Sequence, residues 1–307
     1  MIGGMVEVQE EGRYLSKHRG FLKVSEGGEE IGRLPFDQIE AMIVSAQSAT
    51  MSKNLLTELA GRGSVTVLTN KSYEPAAIVL PIRHAAETIG HPEDQIAASK
   101  PQKKRLWQQF VQRKILHQAY ALRTMGDAPA KHKRLETLAA SVKSGDPDNH
   151  EAQAARTYFT AFFGEKFTRS NESHPINARL NYGYAILRAQ CARAICAAGL
   201  HPAFGLHHVS RRNPLCLADD LIELFRPLID MITRQKALEG DMPEQLTPEC
   251  KRALAKVLQA DMVMNEETKP VSTAINQTAI ALAKAFRDKA LSLDLPYLEE
   301  QPNLPIT

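Results

Sequence analysis

The chain has 307 residues, 43% hydrophobic, 24% charged and 6% aromatic, with a net charge of +3. That composition excludes a disordered, collagen-like or disulfide-dense protein and, at this length, favours two domains. No apolar run approaches the roughly 18 residues that span a membrane, and no basic segment followed by an apolar stretch opens the chain, so a cytosolic protein with no membrane partner is expected. None of Cys191, Cys196, Cys216 and Cys250 forms a C-x-x-C pair. Four reduced, mostly buried thiols follow, rather than a zinc ribbon or a redox site.

The first eighty residues read as β-rich. Short Val- and Ile-bearing segments recur at Met5–Val8, Phe21–Val24, Ile31–Leu34, Ala41–Val44, Val65–Leu68 and Ala76–Leu80, with Gly27-Gly28 and Asn70-Lys71-Ser72 as turns. One helix interrupts them, capped by Thr50 or Ser52 and running through Leu55, Leu56 and Leu59 to Gly61 or Gly63. Pro81, Gly90 and Pro92 then sit among polar residues without a sustained period, as in a linker.

After Pro101 the period becomes helical. Candidate helices cover about 102–124, 130–144, 149–163, 177–199, 216–238, 243–262 and 272–292, with apolar residues recurring at three and four, as in Leu106-Phe110-Val111-Ile115. The predicted architecture is α+β: a small N-terminal β domain (1–81), a linker (82–101) and a larger all-helical C-terminal domain (102–307). Charge divides in the same way. Residues 1–81 carry a net −2 and the remainder +5, densest around Lys100, Lys103, Lys104, Arg105, Arg113 and Lys114. A basic half permits a polyanionic partner, although a charge run on a helix is more often a solvated face.

No phosphate-binding loop, G-x-G-x-x-G after a strand or H-E-x-x-H occurs. Three stretches of the helical half are harder to explain as packing. Glu151-Ala152-Gln153-Ala154-Ala155 places an acid among small residues at a helix start, where the macrodipole, and a cap from Asp148, would favour it in any case. Gly205-Leu206-His207-His208 places adjacent histidines in a loop; their side chains diverge, so one can bind a metal while the other packs. In Leu217-Ala218-Asp219-Asp220-Leu221-Ile222-Glu223, Asp220 and Glu223 share a helical face, and Asp219 can also align with Glu223. Carboxylates beside an apolar stripe need a counter-charge: a metal ion, or Arg226. Pro227 lacks an N–H, so the carbonyl of Glu223 loses its helical partner and the helix bends there. Carboxylate, imidazole and carboxylate together suit Mg²⁺ or Mn²⁺.

At these residues the sequence resembles CRISPR-associated protein 1, over nearly the whole chain. The resemblance rests on Glu151 to Phe159; on Phe163-Gly164, Phe167, Arg169 and Asn177 to Leu187; on Gly199-Leu200-His201-Pro202 leading into Gly205 to His208; and on Asp220 to Pro227. It departs at Ala152, Ile222 and Leu224, where the family usually carries Gly, Met, and Glu or Pro. The His-His pair and the phrase around Phe225 most resemble the branch accompanying single-protein RNA-guided nucleases (type II).

The resemblance implies an N-terminal β domain through which the protein dimerises, a helical catalytic domain, and a metal-dependent endonuclease and integrase. The ligands carried over are Glu151, His208 and Glu223, with Asp220 as a further candidate at the other end of the same turn. The implied ion is Mg²⁺ or Mn²⁺, and the implied partners are double-stranded DNA (the incoming spacer precursor and the CRISPR repeat) and CRISPR-associated protein 2. Lys103, Lys104 and Arg105 are candidate DNA contacts. The competing readings are a catalytically inactive DNA-binding scaffold of the same assembly, with its acids merely paired to arginines, and a metal phosphohydrolase acting on small phosphoesters.

Overall fold

The computed structural model describes residues 5–39, 41–71, 75–79, 81, 91–126, 129–171 and 174–298. In chain order its N-terminal part runs β1 (Met5–Val8), β2 (Tyr14–His18), β3 (Phe21–Glu26), β4 (Glu29–Pro35), β5 (Ala41–Val44), β6 (Thr50–Met51), α1 (Lys53–Gly61), β7 (Val65–Thr69) and β8 (Pro75–Val79). Two four-stranded sheets result, in the orders β1-β5-β7-β8 and β4-β3-β2-β6. Gly27 and Gly28, at φ 58° and 92°, form the tight β3–β4 turn, a backbone region that glycine enters without a Cβ penalty. Ser52, not Thr50, caps α1: its side chain accepts the N–H of Leu55, while Thr50 lies in β6.

Side-chain alternation packs the first sheet on both faces. Met42 and Val44 of β5 join Val6, Val8, Leu15, Leu22, Leu55 and Leu59 in one core. Ala41 and Ile43, with Val65 and Val67 of β7, belong instead to the core of the helical half. A single apolar core therefore runs from the sheet into the helices.

The rest of the chain is mostly helical: α2 (Pro92–Ala97), α3 (Lys100–Met125), α4 (Pro129–Ser141), α5 (His150–Phe163), α6 (Pro175–Ala197), α7 (Cys216–Ile222), α8 (Arg226–Leu238), α9 (Pro248–Ala255), the hairpin β9 (Asp261–Met264) and β10 (Glu267–Pro270), and α10 (Val271–Asp288). Three expectations change. The helix expected over 216–238 is two helices, parted around Glu223. The one expected over 243–262 shortens to α9 and a 3₁₀ turn, then becomes β9, so the C-terminal part is not all-helical. Asn265 and Glu266, at φ 53° and 61°, turn that hairpin. Of the segment read as a linker, residues 82–90 lie outside the described residues and Pro92–Ala97 is α2. Fully buried Gln95 ties α2 into the helical half: it donates to the carbonyls of His201 and Phe204 (3.0 and 2.6 Å) and accepts the N–H of His201 (2.9 Å).

All four cysteines are free and buried. Among the described residues no helix is long and apolar enough to cross a membrane. Helices α6 and α8 approach closely because Gly183 has no side chain: a Cβ there would lie 2.6 Å from both Cδ1 and Cγ2 of Ile229. Gly183→Ala is therefore expected to destabilise the protein by about 1–3 kcal/mol through overpacking. Adding Ile229→Val is expected to recover part of that loss, as read from urea-denaturation midpoints.

Candidate functional site

Three elements converge on one buried charge. The first is the start of α5. Asn149, in the left-handed conformation at φ 54°, caps it by accepting the N–H of Ala152. Asp146 accepts the N–H groups of His150 and Glu151 at 2.8 and 2.9 Å. The cap is thus Asn149 with Asp146; Asp148 pairs with Lys143 instead. Glu151 is thereby held in the first helical turn with its carboxylate pointing inward.

The second element is the break between α7 and α8. Pro227 cannot donate to the carbonyl of Glu223, and the chain crosses the gap on i→i+3 bonds, Phe225 N–H to Ile222 (2.8 Å) and Leu228 N–H to Phe225 (3.1 Å). The carbonyl of Leu224, freed by this tightening, accepts from Nδ1 of the buried His117 at 2.8 Å. Burial pushes the His117 imidazole down to about 4, so it stays neutral. Glu223 keeps helical dihedrals (φ −56°, ψ −30°) as the last residue before the break, and its carboxylate meets Lys114 and Arg226.

The third is α3, which buries Leu106, Trp107, Phe110, Val111, Lys114, Ile115 and Gln118 on one face. Lys114 lies in this apolar stripe. Its Nζ donates to Glu151 Oε1 at 2.6 Å and lies 2.5 Å from Glu223 Oε2. Arg226 Nε holds the other oxygen, Glu223 Oε1, at 2.9 Å. Burial opposes ionisation of Glu223 and of Lys114, but their attraction outweighs it: Arg226 and Lys114 hold the Glu223 carboxyl below the usual range, and Glu223 with Glu151 hold the Lys114 ammonium above its own. Arg226 is the counter-charge foreseen for Glu223; Lys114, read within a basic run, is the one missed. Its place at three and four residues from Val111 and Phe110 was the available signal.

The histidine loop is built around Asp220. That carboxylate, wholly buried, accepts the N–H groups of Leu206 (2.5 Å), His207 (3.3 Å) and His208 (3.1 Å), and meets His208 Nδ1 at 2.8 Å. Asp220 is spent on this loop and does not join Glu151 and Glu223. Gly205 makes the approach possible: a Cβ there would stand 2.3 Å from the His208 carbonyl and 2.7 Å from Asp220 Oδ2. His207 stacks on Trp107, ring centroids 4.5 Å apart and 4° from parallel, while His208 meets the same indole edge-on. His208 keeps a 41% exposed side chain, and its pKa is raised first by the Asp220 hydrogen bond and further by the Glu223 charge. Asp219 faces elsewhere, held by Arg188 (2.6 Å) and Asn213 (2.5 Å).

Glu151 and Glu223 therefore meet on a shared cation, with His208 within electrostatic reach. Among the described residues no group of three or more His, Cys, Asp or Glu side chains is gathered closely enough to hold a metal ion, because Lys114 separates the acids. The chemistry of the set nevertheless suits a hard divalent ion. Two carboxylate oxygens already converge on one point charge, and an imidazole whose Nδ1 is fixed by a buried carboxylate offers Nε2 as donor.

His208 also lines a cleft of about 740 Å³ whose walls include Lys103, Phe204, Val209, Arg211 and Arg212. The basic trio on α3 is split by the 100° advance per residue. Lys103 enters the cleft; the Lys104 stem packs beside Gly145, and Arg105 donates to Gln108 at 3.1 Å. Arg211 and Arg212 form no ion pair among the described residues and were not foreseen as contacts.

The sequence profile of CRISPR associated protein Cas1 matches residues 6–246. The chain belongs to the Cas1 family. It is 38% identical over 286 residues to the CRISPR-associated endonuclease Cas1 of Neisseria meningitidis, covering 93% of each chain. To the CRISPR-associated endonuclease Cas1 2 of Pyrobaculum aerophilum it is 28% identical over 289 residues, covering 90% of this chain and 96% of that one. The same fold occurs in a Cas1 protein from Thermotoga maritima (TM-score 0.77, 16% identity, 96% of this chain and 100% of that one). It also occurs in a casposase bound to integration product (TM-score 0.78, 18% identity, 94% and 92%).

Behind the Cas1-family centre lies a cavity of about 190 Å³ whose walls include Lys114, Gln118, Arg169, Tyr184, Glu223 and Asp230. The Tyr184 hydroxyl donates to Asp230 Oδ1 at 2.5 Å. Burial pushes the Asp230 carboxyl up to about 6 against the hydrogen bond from Tyr184 and the nearby Arg169 charge. With its folded value above the ordinary 3.8, Asp230 supplies its full stability below that pH and loses it as pH rises through 6. Asp230→Asn is therefore expected to be more stable than the parent at pH 8, by about 2–3 kcal/mol at ~1.4 kcal/mol per pH unit of displacement. The gap should close towards pH 4, as measured by thermal unfolding across pH.

Proposed function

We propose that this Cas1-family chain is a divalent-metal-dependent DNA endonuclease and integrase. It inserts short DNA fragments as new spacers into a CRISPR array by attack of their 3′-hydroxyls on the repeat. The observation that carries the reading is the meeting of Glu151 and Glu223 on one buried cation, beside a histidine locked by Asp220 at the lip of a basic cleft. The relatives' name, CRISPR-associated endonuclease Cas1, supports the activity. The bound integration product of the casposase supports the joining reaction.

Glu151, Glu223 and His208 are the residues that would hold Mg²⁺ or Mn²⁺. An ion bound there would lower the pKa of the attacking hydroxyl and offset charge developing on the phosphate. Asp220, through its bond to Nδ1, orients the His208 ring, and Arg226 holds one oxygen of Glu223 in place. Lys103, Arg211 and Arg212 neutralise backbone phosphates along the cleft. The chemistry exchanges one phosphodiester for another: the incoming 3′-oxygen forms a bond to phosphorus, the repeat's 3′-oxygen leaves, and the proton lost by one is gained by the other. Water in place of the hydroxyl gives cleavage. Partners consistent with the family are a second copy of the chain, dimerising through its β-rich part, and CRISPR-associated protein 2, which stands beside Cas1 in the structurally similar Cas6-RT-Cas1–Cas2 complex (TM-score 0.80).

A purely structural ion-pair network, as in an inactive scaffold, accounts for Lys114 between two acids. It does not account for a half-exposed histidine braced by a wholly buried aspartate in a cleft shared with Arg211 and Arg212, which form no ion pair among the described residues. Glu151→Ala, His208→Ala and Glu223→Ala are each expected to reduce Mn²⁺-dependent nicking and strand joining on branched DNA roughly 100-fold or more. Their circular dichroism should remain native. Parental rates in all three would reject the site. Arg211→Ala and Arg212→Ala are each expected to weaken DNA binding regardless of sequence. Each should also lower the slope of log affinity against log salt by about 1, measured by fluorescence anisotropy.

A further inference from the structure

Lys114 is 8% exposed, and its ammonium stands between the acids proposed as ligands, at 2.6 Å from one and 2.5 Å from the other. A divalent ion and this ammonium compete for the same two oxygens. The arrangement around Lys114 is asymmetric. Arg226 holds Glu223 Oε1 and lies over the Tyr184 ring, 4.4 Å from its centroid, so it is anchored. Among the described residues Glu223 Oε2 is paired with Lys114, and a lysine carries its charge on a flexible stem with rotatable donors, unlike the planar guanidinium beside it. The cavity of about 190 Å³ opens directly from Lys114, far larger than the ~30 Å³ share of one water, and Asp230 stands in its wall.

We propose that Lys114 is a displaceable counter-cation. It neutralises Glu151 and Glu223 while no ion is held, and withdraws into the adjoining cavity towards Asp230 when a divalent ion takes the two acids. The exchange leaves neither Glu151 nor Glu223 uncompensated in either state, the condition that a buried charged pair must meet. It also sets the metal affinity below what two acids and an imidazole would otherwise give, because part of the binding free energy is spent on moving the lysine. The inference rests on the reading of Glu151 and Glu223 as ligands, and the test separates the two.

The full-length chain, stripped with EDTA, is titrated with Mn²⁺ by calorimetry and by electron paramagnetic resonance. Glu151→Gln tests the underlying reading: loss of binding upholds the ligand role, and parental binding rejects it whatever Lys114 does. Lys114→Met is expected to tighten Mn²⁺ binding roughly tenfold or more, through loss of the competing charge. It should also lower the melting temperature in EDTA, with recovery on adding Mn²⁺. Asp230→Asn, which removes the second position's charge, is expected to weaken Mn²⁺ binding several-fold when Lys114 is present and to leave it unchanged in the Lys114→Met background. Unchanged or weaker binding by Lys114→Met overturns the proposal, as does an equal effect of Asp230→Asn in both backgrounds. Should Lys114→Met fail to fold, Asp230→Asn alone decides: weakened binding supports the exchange and parental binding overturns it.

Discussion

Two ionised carboxylates cannot stand together in a buried site without a cation between them, and much of the helical half is arranged to satisfy that constraint. Lys114 reaches both Glu151 and Glu223 from the inner face of α3, and Arg226 closes on Glu223 from the opposite side. Removing one member of such a group would leave an uncompensated buried charge, which typically costs about 3–5 kcal/mol. The surrounding backbone devices act on this arrangement. Asp146 and Asn149 hold the helix start that carries Glu151, and Pro227 with His117 maintains the break that follows Glu223. The acids of the ion-pair centre therefore stand at helix ends, while the lysine that joins them comes from a helix face.

Asp220 shows how a buried acid can shape a site by bracing its neighbours. Gathering three backbone N–H groups and the His208 ring, it converts a loop into a rigid support for an imidazole that still reaches solvent. Its spacing from Glu223 suggests a shared ligand face, but the two carboxylates are taken by different partners: Asp220 braces the histidine loop, and Glu223 meets Lys114 and Arg226.

The order of β-rich and helical parts was legible because β5 and β7 are short Val- and Ile-bearing runs and α3 and α10 carry a 3.6-residue period. Strand β2 was hidden because it buries only Leu15, leaving no apolar run to notice. The β9–β10 hairpin was hidden because Met262, Val263 and Met264 continue the apolar content of α9, and only Asn265 marks the reversal. The three stretches holding Glu151, the His207-His208 pair and Asp219 to Glu223 stood out as polar residues in small or apolar surroundings, and only the family resemblance singled out Glu151, His208 and Glu223 within them. Lys114 did not, since a lysine in a basic run resembles a solvated face until its place in the stripe of Val111 and Phe110 is weighed. Arg211 and Arg212 lie in a loop without periodicity, and only the cleft they line gives them meaning.

The sheet and the helices share one core through Ala41, Ile43, Val65 and Val67, so the β-rich part and the helical half that carries the site are packed as one body along that face. We propose that Glu151, Glu223 and His208 together bind a divalent ion, and anomalous diffraction at the manganese edge, from crystals grown with Mn²⁺, is the decisive test. One strong peak is expected between Glu151, His208 and Glu223, with the Lys114 ammonium no longer between the acids. Absence of a peak there, with Lys114 still spanning the two glutamates at saturating Mn²⁺, would overturn the ligand assignment.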